Sequence, residues 1–130
     1  MVPFIRLILL TLTLILAAGT LTAQDIEVTG IAVCKSVQDR ACQEPVETVT
    51  ADTPSLYCLV TLKSAGAATL KHRWSADGKV RFEIDLSVKF ASPLYRQWSQ
   101  KNLNGVKGNW TVEIVAEDGT VLKSVAFTVE

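Results

Sequence analysis

Apolar and polar residues alternate along most of this chain, and that alternation restricts the fold more than any other feature. Across residues 79–90 the even-numbered positions are apolar and the odd-numbered positions are charged or serine. Successive side chains of a β-strand point to opposite faces, so this period predicts a strand with one core face and one solvent face. No long amphipathic helix pattern is visible after Asp25. The sequence therefore predicts an all-β domain.

Turn residues divide the alternating segments into about seven strands. Asp77-Gly78 and Asp118-Gly119 are hairpin turns, because glycine adopts a positive φ without a Cβ clash. Besides residues 79–90, strands are predicted at residues 26–34, 56–63, 69–75, 94–99, 109–116 and 121–129. Strands this short and regularly spaced indicate an immunoglobulin-like two-sheet sandwich rather than a small closed barrel. Residues 35–54 are polar and are interpreted as a long loop, with a short edge strand at residues 46–50 as an option.

Residues 1–23 are interpreted as a cleavable secretory signal peptide. Arg6 precedes an apolar stretch at residues 7–18, and small residues follow up to Ala23. The uncharged run is shorter than the ~20 residues that span a bilayer, so cleavage is predicted, with a retained N-terminal anchor as the alternative. Residues 24–130 are then a single β-sandwich domain, periplasmic or secreted, without stable membrane insertion.

Charge and cysteine content narrow the chemistry of that domain. Removing Arg6 leaves twelve Lys and Arg against thirteen Asp and Glu, so no nucleic-acid binding is predicted, since that requires a strongly basic face. Cys34, Cys42 and Cys58 are disulfide candidates in an exported protein, and the pairing among them stays open. His72 is the sole histidine and the spacings match no zinc motif, so no metal or other cofactor is expected.

Four motifs follow one another in the second half of the chain. They are His72-Arg73-Trp74 before Asp77-Gly78, Arg96-Gln97-Trp98-Ser99-Gln100-Lys101, Gly108-Asn109-Trp110-Thr111-Val112, and Asp118-Gly119 with Val121-Leu122 leading to Phe127. In order and rough spacing these motifs resemble the bacterial family known as domain of unknown function 2914. The resemblance spans residues 72–127 and implies the fold and export without implying a reaction.

The aromatic and basic residues of these motifs divide into two groups. The first group lies on apolar strand faces and is interpreted as structural core: His72, Trp74, Trp110, Phe82 and Phe127. The second group is the candidate binding set: Arg96, Trp98, Lys101 and Arg73. A tryptophan face stacks on sugar rings or holds cations, and neighbouring basic groups orient carboxylates. Three of the four lie near a loop, where binding residues are frequent.

Together these features favour a non-enzymatic, exported binding or accessory module of the bacterial cell envelope, whose partner is an envelope protein or a glycan. The alternative is a structural or assembly subunit that pairs through strand edges or through the odd cysteine. A small hydrolase centred on His72 is the remote alternative, and enclosure of His72 by the core would end it. Ser99 has no evident activating base in the sequence and is interpreted as capping the following turn.

Overall fold

The computed structural model describes residues 25–130, so the signal-peptide prediction for residues 1–23 lies outside the described residues. Within this range the chain forms nine strands and no helix long and apolar enough to cross a membrane. The strands are β1 (Ile26–Gln38), β2 (Ala41–Pro45), β3 (Thr48–Val49), β4 (Ser55–Ser64), β5 (Ala68–Ala76), β6 (Lys79–Val88), β7 (Ser92–Asn102), β8 (Gly108–Val115) and β9 (Val121–Val129).

The strands form two sheets, which confirms the predicted all-β sandwich. One sheet has the order β2-β1-β4-β7 and the other has the order β3-β9-β8-β5-β6. Every pairing is antiparallel except that of β3 with β9. β6 and β7 are consecutive in the chain and are edge strands of different sheets. One flank of the sandwich therefore lies between two edge strands.

The core between the sheets contains the large aromatic residues. The rings of Trp110 and Phe127 stack with centroids 5.8 Å apart, and Trp74 meets Phe127 edge-on at 6.1 Å. His72 is also fully buried, whereas Phe82 is half-buried at the rim of the core. Each buried aromatic removes roughly 150–250 Å² from water, so this cluster is a major source of stability.

Residues 35–54 do not form the long loop that was expected. β1 continues to Gln38, and β2 pairs back on it after a two-residue turn at Asp39 and Arg40, whose φ angles are 52° and 59°. Two consecutive positive φ angles are typical of a type I′ hairpin turn, which usually contains Asn or Gly. Asp39 suits the first turn position, but Arg40 occupies the second, where glycine is usual, and the hairpin was therefore missed. The optional edge strand is confirmed as β3.

The hairpin contains the disulfide bond. Cys34 of β1 is bonded to Cys42 of β2, with Cα atoms 5.6 Å apart, and Cys58 is a buried free thiol. Burial raises the pKa of Cys58 to about 12, so the thiol is protonated and unreactive at neutral pH. The alternative in which Cys58 forms a disulfide was wrong. Because Cys58 is buried in the folded domain, it is not accessible for a disulfide with another chain.

β6 differs from the strand that was expected, because its apolar face is only partly covered. Val80 and Ile84 are 48% and 36% exposed, and only Val88 on this face is fully buried. β6 has a sheet neighbour on one side only, and the facing sheet ends at β7. Alternation predicts which residues share a face, but not how much of that face the opposite sheet covers.

We expect the double variant Cys34→Ser/Cys42→Ser to have a free energy of unfolding lower by about 2.5 kcal/mol, because the disulfide closes a short loop in the unfolded chain. Urea unfolding followed by tryptophan fluorescence measures the difference. Reducing the wild-type protein should shift its midpoint to that of the double variant, and an unchanged midpoint would contradict the stabilising role.

Candidate functional site

The two faces of β7 differ in chemistry, and the candidate site follows from that difference. Gln97 and Ser99 are buried on the inner face, whereas Arg96 and Trp98 are exposed on the outer face. This arrangement follows from strand geometry, in which neighbouring side chains point in opposite directions. β7 therefore contributes polar groups to the core and a basic and aromatic pair to the surface.

On the inner face, four side chains form a buried hydrogen-bond network between the two sheets. Trp74 Nε1 of β5 donates to Ser99 Oγ of β7 over 3.0 Å. His72 Nδ1 of β5 lies 2.8 Å from the same Ser99 oxygen, and His72 Nε2 lies 2.8 Å from Gln97 Oε1. This polar network therefore links the sheets at β5 and β7.

The donor and acceptor capacities of these groups determine which atoms carry the protons in this network. An indole N–H only donates, so Ser99 Oγ accepts from Trp74 and its own hydrogen is free to be donated to His72 Nδ1. Because Nδ1 then accepts, the neutral imidazole has its proton on Nε2 and donates it to Gln97 Oε1. Burial lowers the pKa of His72, and the hydrogen bond with Gln97 opposes that effect. The buried histidine is therefore neutral at physiological pH.

The His72–Ser99 pair has the spacing of a general base and a hydroxyl nucleophile, but its surroundings differ from those of an active site. Both residues are buried, and neither lines any of the clefts described below. The interpretation of Ser99 as a turn cap was wrong, because Ser99 lies within β7 and bonds to Trp74 and His72. A substrate has no visible route to the hydroxyl.

On the outer face, Arg96 and Trp98 line a cleft of about 290 Å³. The other lining residues are Arg40, Phe90, Leu94 and Tyr95. We call this the Trp98 cleft. Trp98 is 41% exposed, and Phe90 and Leu94 are each more than half exposed. The rings of Phe90 and Tyr95 pack edge to face with centroids 5.3 Å apart. Clustered exposed apolar side chains of this kind mark interaction sites.

The charges of the Trp98 cleft are of one sign. Its lining contains two guanidinium groups, Arg40 and Arg96, and no carboxylate. Among residues 25–130, the ion pairs involve Lys35, Lys71 and Arg73 but neither of these two arginines. Guanidinium groups form strong bidentate hydrogen bonds with carboxylates and phosphates. The cleft therefore combines apolar surface with two cations that an anionic group can pair.

A second cleft of about 410 Å³ lies between β6 and β7 and shares Arg96 and Trp98 with the first. Its other lining residues are Asp85, Leu86, Ser87, Lys89 and Gln97. Gln97 Nε2 is buried and has no hydrogen-bond partner within residues 25–130. An unsatisfied buried amide is unfavourable by about 1–3 kcal/mol, so an acceptor oxygen that reached it would be held there.

The structure brings together only two of the four predicted binding residues. Lys101 lines a different cleft with Phe82 and Asn104, and its Nζ donates to the carbonyl of Asn102 over 2.5 Å. Arg73 lies in the other sheet, where its Nε donates to Glu83 Oε1 over 2.8 Å. Neither residue therefore lines the Trp98 cleft, and the platform predicted from Arg96, Trp98 and Lys101 does not form as one cleft.

With this geometry described, the chain can be compared with known families. Residues 67–129 match the family described as Protein of unknown function (DUF2914). This match confirms the resemblance recognised in the motifs. The DUF2914 segment includes both faces of β7 and the buried network, whereas Arg40 and the disulfide lie before it.

Comparisons with individual proteins add no information on activity. The comparison with curated proteins finds no match. Among solved structures, a β-glucosidase from Kluyveromyces marxianus is 11% identical with a TM-score of 0.47, and the match covers 82% of this chain. It covers 14% of the β-glucosidase chain, so this protein spans a small part of that enzyme's length. A likeness at this TM-score carries no argument about function.

Sequence reasoning missed four residues of the Trp98 cleft, Arg40, Phe90, Leu94 and Tyr95. Arg40 lies at the tip of the β1–β2 hairpin, in a region that was interpreted as a loop. Phe90 ends the strand predicted at residues 79–90, and Leu94 and Tyr95 lie in the strand predicted at residues 94–99, so none of the three was singled out. The useful signal was the concentration of aromatic and aliphatic residues on both sides of Pro93, where the chain passes between sheets.

We expect the free energy of unfolding to fall by about 1 kcal/mol between pH 7.5 and pH 5.5, because His72 binds a proton more readily in the unfolded chain. Its folded pKa is lowered from about 6.5, so its contribution is complete above that pH and is lost as the pH falls below it. Urea unfolding at several pH values measures the slope. The variant His72→Gln should lose most of this pH dependence of the free energy of unfolding. An equally steep slope in that variant would show that other groups cause the pH dependence.

Proposed function

We propose that this protein is a non-enzymatic binding module of the bacterial cell envelope and that the Trp98 cleft binds a segment of another envelope protein. The observation that carries the proposal is the combination, in one cleft, of exposed Trp98, Phe90 and Leu94 with the guanidinium groups of Arg40 and Arg96, which form no ion pair within residues 25–130. Tryptophan and arginine are also enriched among the residues that dominate binding energy at protein interfaces.

The chemistry of the cleft defines the partner segment. Two guanidinium groups favour carboxylates, which means aspartate or glutamate side chains or a C-terminal carboxylate. The exposed faces of Trp98, Phe90 and Leu94 favour an apolar side chain next to that carboxylate. In the adjoining cleft, which shares Arg96 and Trp98, the Gln97 amide nitrogen has no hydrogen-bond partner within residues 25–130 and suits a backbone carbonyl of an extended peptide. The expected partner is therefore an acidic and apolar extended segment.

A glycan is the second ligand class, and the lining of the cleft favours it less. The ring of Trp98 can stack on a sugar, but sugar hydroxyls also require acceptors and amides around them. The Trp98 cleft itself contains neither a carboxylate nor an amide side chain; Asp85 and Gln97 line the adjoining cleft between β6 and β7. Its one hydroxyl, Tyr95 OH, already donates to the carbonyl of Ser87 over 3.3 Å. These groups match a peptide better than a sugar.

Two further observations support the remaining parts of the proposal. Ser99 and His72 are enclosed in the core and bonded to each other, which supports a role other than hydrolysis. The Cys34–Cys42 disulfide supports export, because disulfides persist in oxidising compartments.

The first test uses fluorescence titration with short synthetic peptides. We expect a peptide of alternating aspartate and leucine or phenylalanine to bind, and the same peptide with lysine in place of aspartate not to bind. Trp98→Ala and Arg96→Gln should each weaken binding at least about tenfold, in the range measured for central interface residues. Lys123→Gln removes an exposed cation from the other sheet and should leave affinity unchanged.

Neutral and acidic envelope glycans are titrated in parallel. Binding of glycans alone, lost in Trp98→Ala, would reassign the cleft to sugars. Binding of neither class, or peptide binding that survives both substitutions, would contradict the proposal.

We expect the variant Arg40→Gly to be more stable by about 0.5 kcal/mol, because a glycine suits the φ of 59° better than arginine does. The same variant should bind the acidic peptide at least several-fold more weakly, because the cleft loses one guanidinium. Asp39→Gly is the matched control at the neighbouring turn position and should retain full affinity. Loss of both stability and affinity in Arg40→Gly would indicate a structural role instead.

A further inference from the structure

The free edge of β6 presents apolar surface that the Trp98 cleft does not use. Val80 and Ile84 are partly exposed, and among residues 25–130 β6 pairs only with β5. Within residues 25–130 the other edge of this strand has no strand neighbour; the Ser87 carbonyl near its end accepts a hydrogen bond from Tyr95 OH, so the backbone groups free to pair are those earlier in the strand. Such an edge is a template for pairing with another strand unless the protein blocks it.

We propose that two copies of this protein pair through their β6 strands, antiparallel and around a two-fold axis, so that their sheets become continuous. This inference goes beyond the binding of a partner by the Trp98 cleft and is independent of it. A self-complementary two-fold interface is the commonest form of homodimer.

The charges on β6 are self-complementary in one register. Counted along the sequence with Phe82 opposite Phe82 of the second copy, Arg81 faces Glu83 of the second copy and Lys79 faces Asp85 of the second copy. The register of β6 against β5 shifts between Phe82 and Val80, so this pairing requires the extra residue, Arg81, to be accommodated in a regular strand. The two-fold axis repeats both pairs, so every charge at residues 79–85 meets its opposite. Opposite charges directly across an antiparallel pair stabilise it, and like charges destabilise it.

Neighbouring registers lack this complementarity. Sliding the strands by two residues in one direction places Glu83 opposite Glu83 of the second copy. Sliding them by two residues in the other direction places Arg81 opposite Arg81 of the second copy. A slip of one residue would place the charged residues of one strand opposite the apolar residues of the other. The sequence of β6 therefore favours the register centred on Phe82 over those next to it.

The same register also covers the exposed apolar residues. It places Val80 opposite Ile84 of the second copy and brings the two Phe82 side chains together at the axis. Side chains at directly opposed positions have Cβ atoms about 4.5–5.5 Å apart, close enough for apolar contact. Both faces of the strand thus support one pairing.

A charge exchange tests the register with the full domain. Glu83 already pairs with Arg73 and Lys71 in its own sheet, so the Lys79–Asp85 pair, which has no such ion pair, is the better choice. We expect Lys79→Asp and Asp85→Lys each to weaken dimerisation about tenfold, measured by sedimentation over a concentration series. The double variant should regain wild-type association, because the exchanged charges again face opposite ones.

Cysteine crosslinking provides an independent readout. Phe82→Cys should form a disulfide-linked dimer on mild oxidation, and Val80→Cys, on the same face, should form little, because it faces Ile84 of the second copy. A monomeric wild-type protein at every concentration, or a double charge variant that fails to recover, would overturn the proposal. Arg96→Gln should leave dimerisation, measured by sedimentation, unchanged, and this result distinguishes the β6 interface from the Trp98 cleft.

Discussion

The hydrogen bonds from His72 and Trp74 to Ser99 and Gln97 are the interaction on which the candidate site depends. They join β5 of one sheet to β7 of the other and require the odd-numbered residues 97 and 99 to face the core. A shift of β7 by one residue would leave these polar groups without partners and would bury Arg96 and Trp98. The surface chemistry of β7 is therefore a consequence of its buried chemistry.

A polar network within an apolar core is favourable only when its members are satisfied. Here the indole, hydroxyl and imidazole groups all have partners, and the Gln97 amide nitrogen is the exception. Gln97 also lines the cleft between β6 and β7, which shares Arg96 and Trp98 with the proposed binding site. The buried atom of this network that lacks a partner thus belongs to a residue that lines a candidate ligand cleft. The other hydrogen bonds of the network hold that residue rigidly in place.

The sequence predicted most of the strands and the fold class, because alternation and Asp-Gly turns reflect local geometry. It did not predict the β1–β2 hairpin, since Arg40 occupies the turn position where glycine is usual. It grouped Lys101 with Arg96 and Trp98 because all three follow Pro93, although strand alternation places position 101 on the opposite face from positions 96 and 98. Treating residues 96–101 as a regular strand would have separated them.

The sequence did not predict contacts between elements that are far apart in the chain. Arg40 reaches the Trp98 cleft through the hairpin, and Gln97 pairs with His72 across the two sheets. Both contacts depend on strand order, which alternation does not specify. The partial exposure of β6 has the same origin, because it depends on where the opposite sheet ends.

Hydrogen exchange of the three tryptophan indole N–H groups, followed by NMR, tests the orientation of β7 most directly. Trp74 and Trp110 donate these hydrogens to Ser99 Oγ and to the carbonyl of Val106, so their exchange should be strongly slowed. Trp98, exposed in the cleft, should exchange near the rate of an unfolded peptide. A protected Trp98, or a Trp74 that exchanges as fast as Trp98, would contradict the buried network and the surface that depends on it.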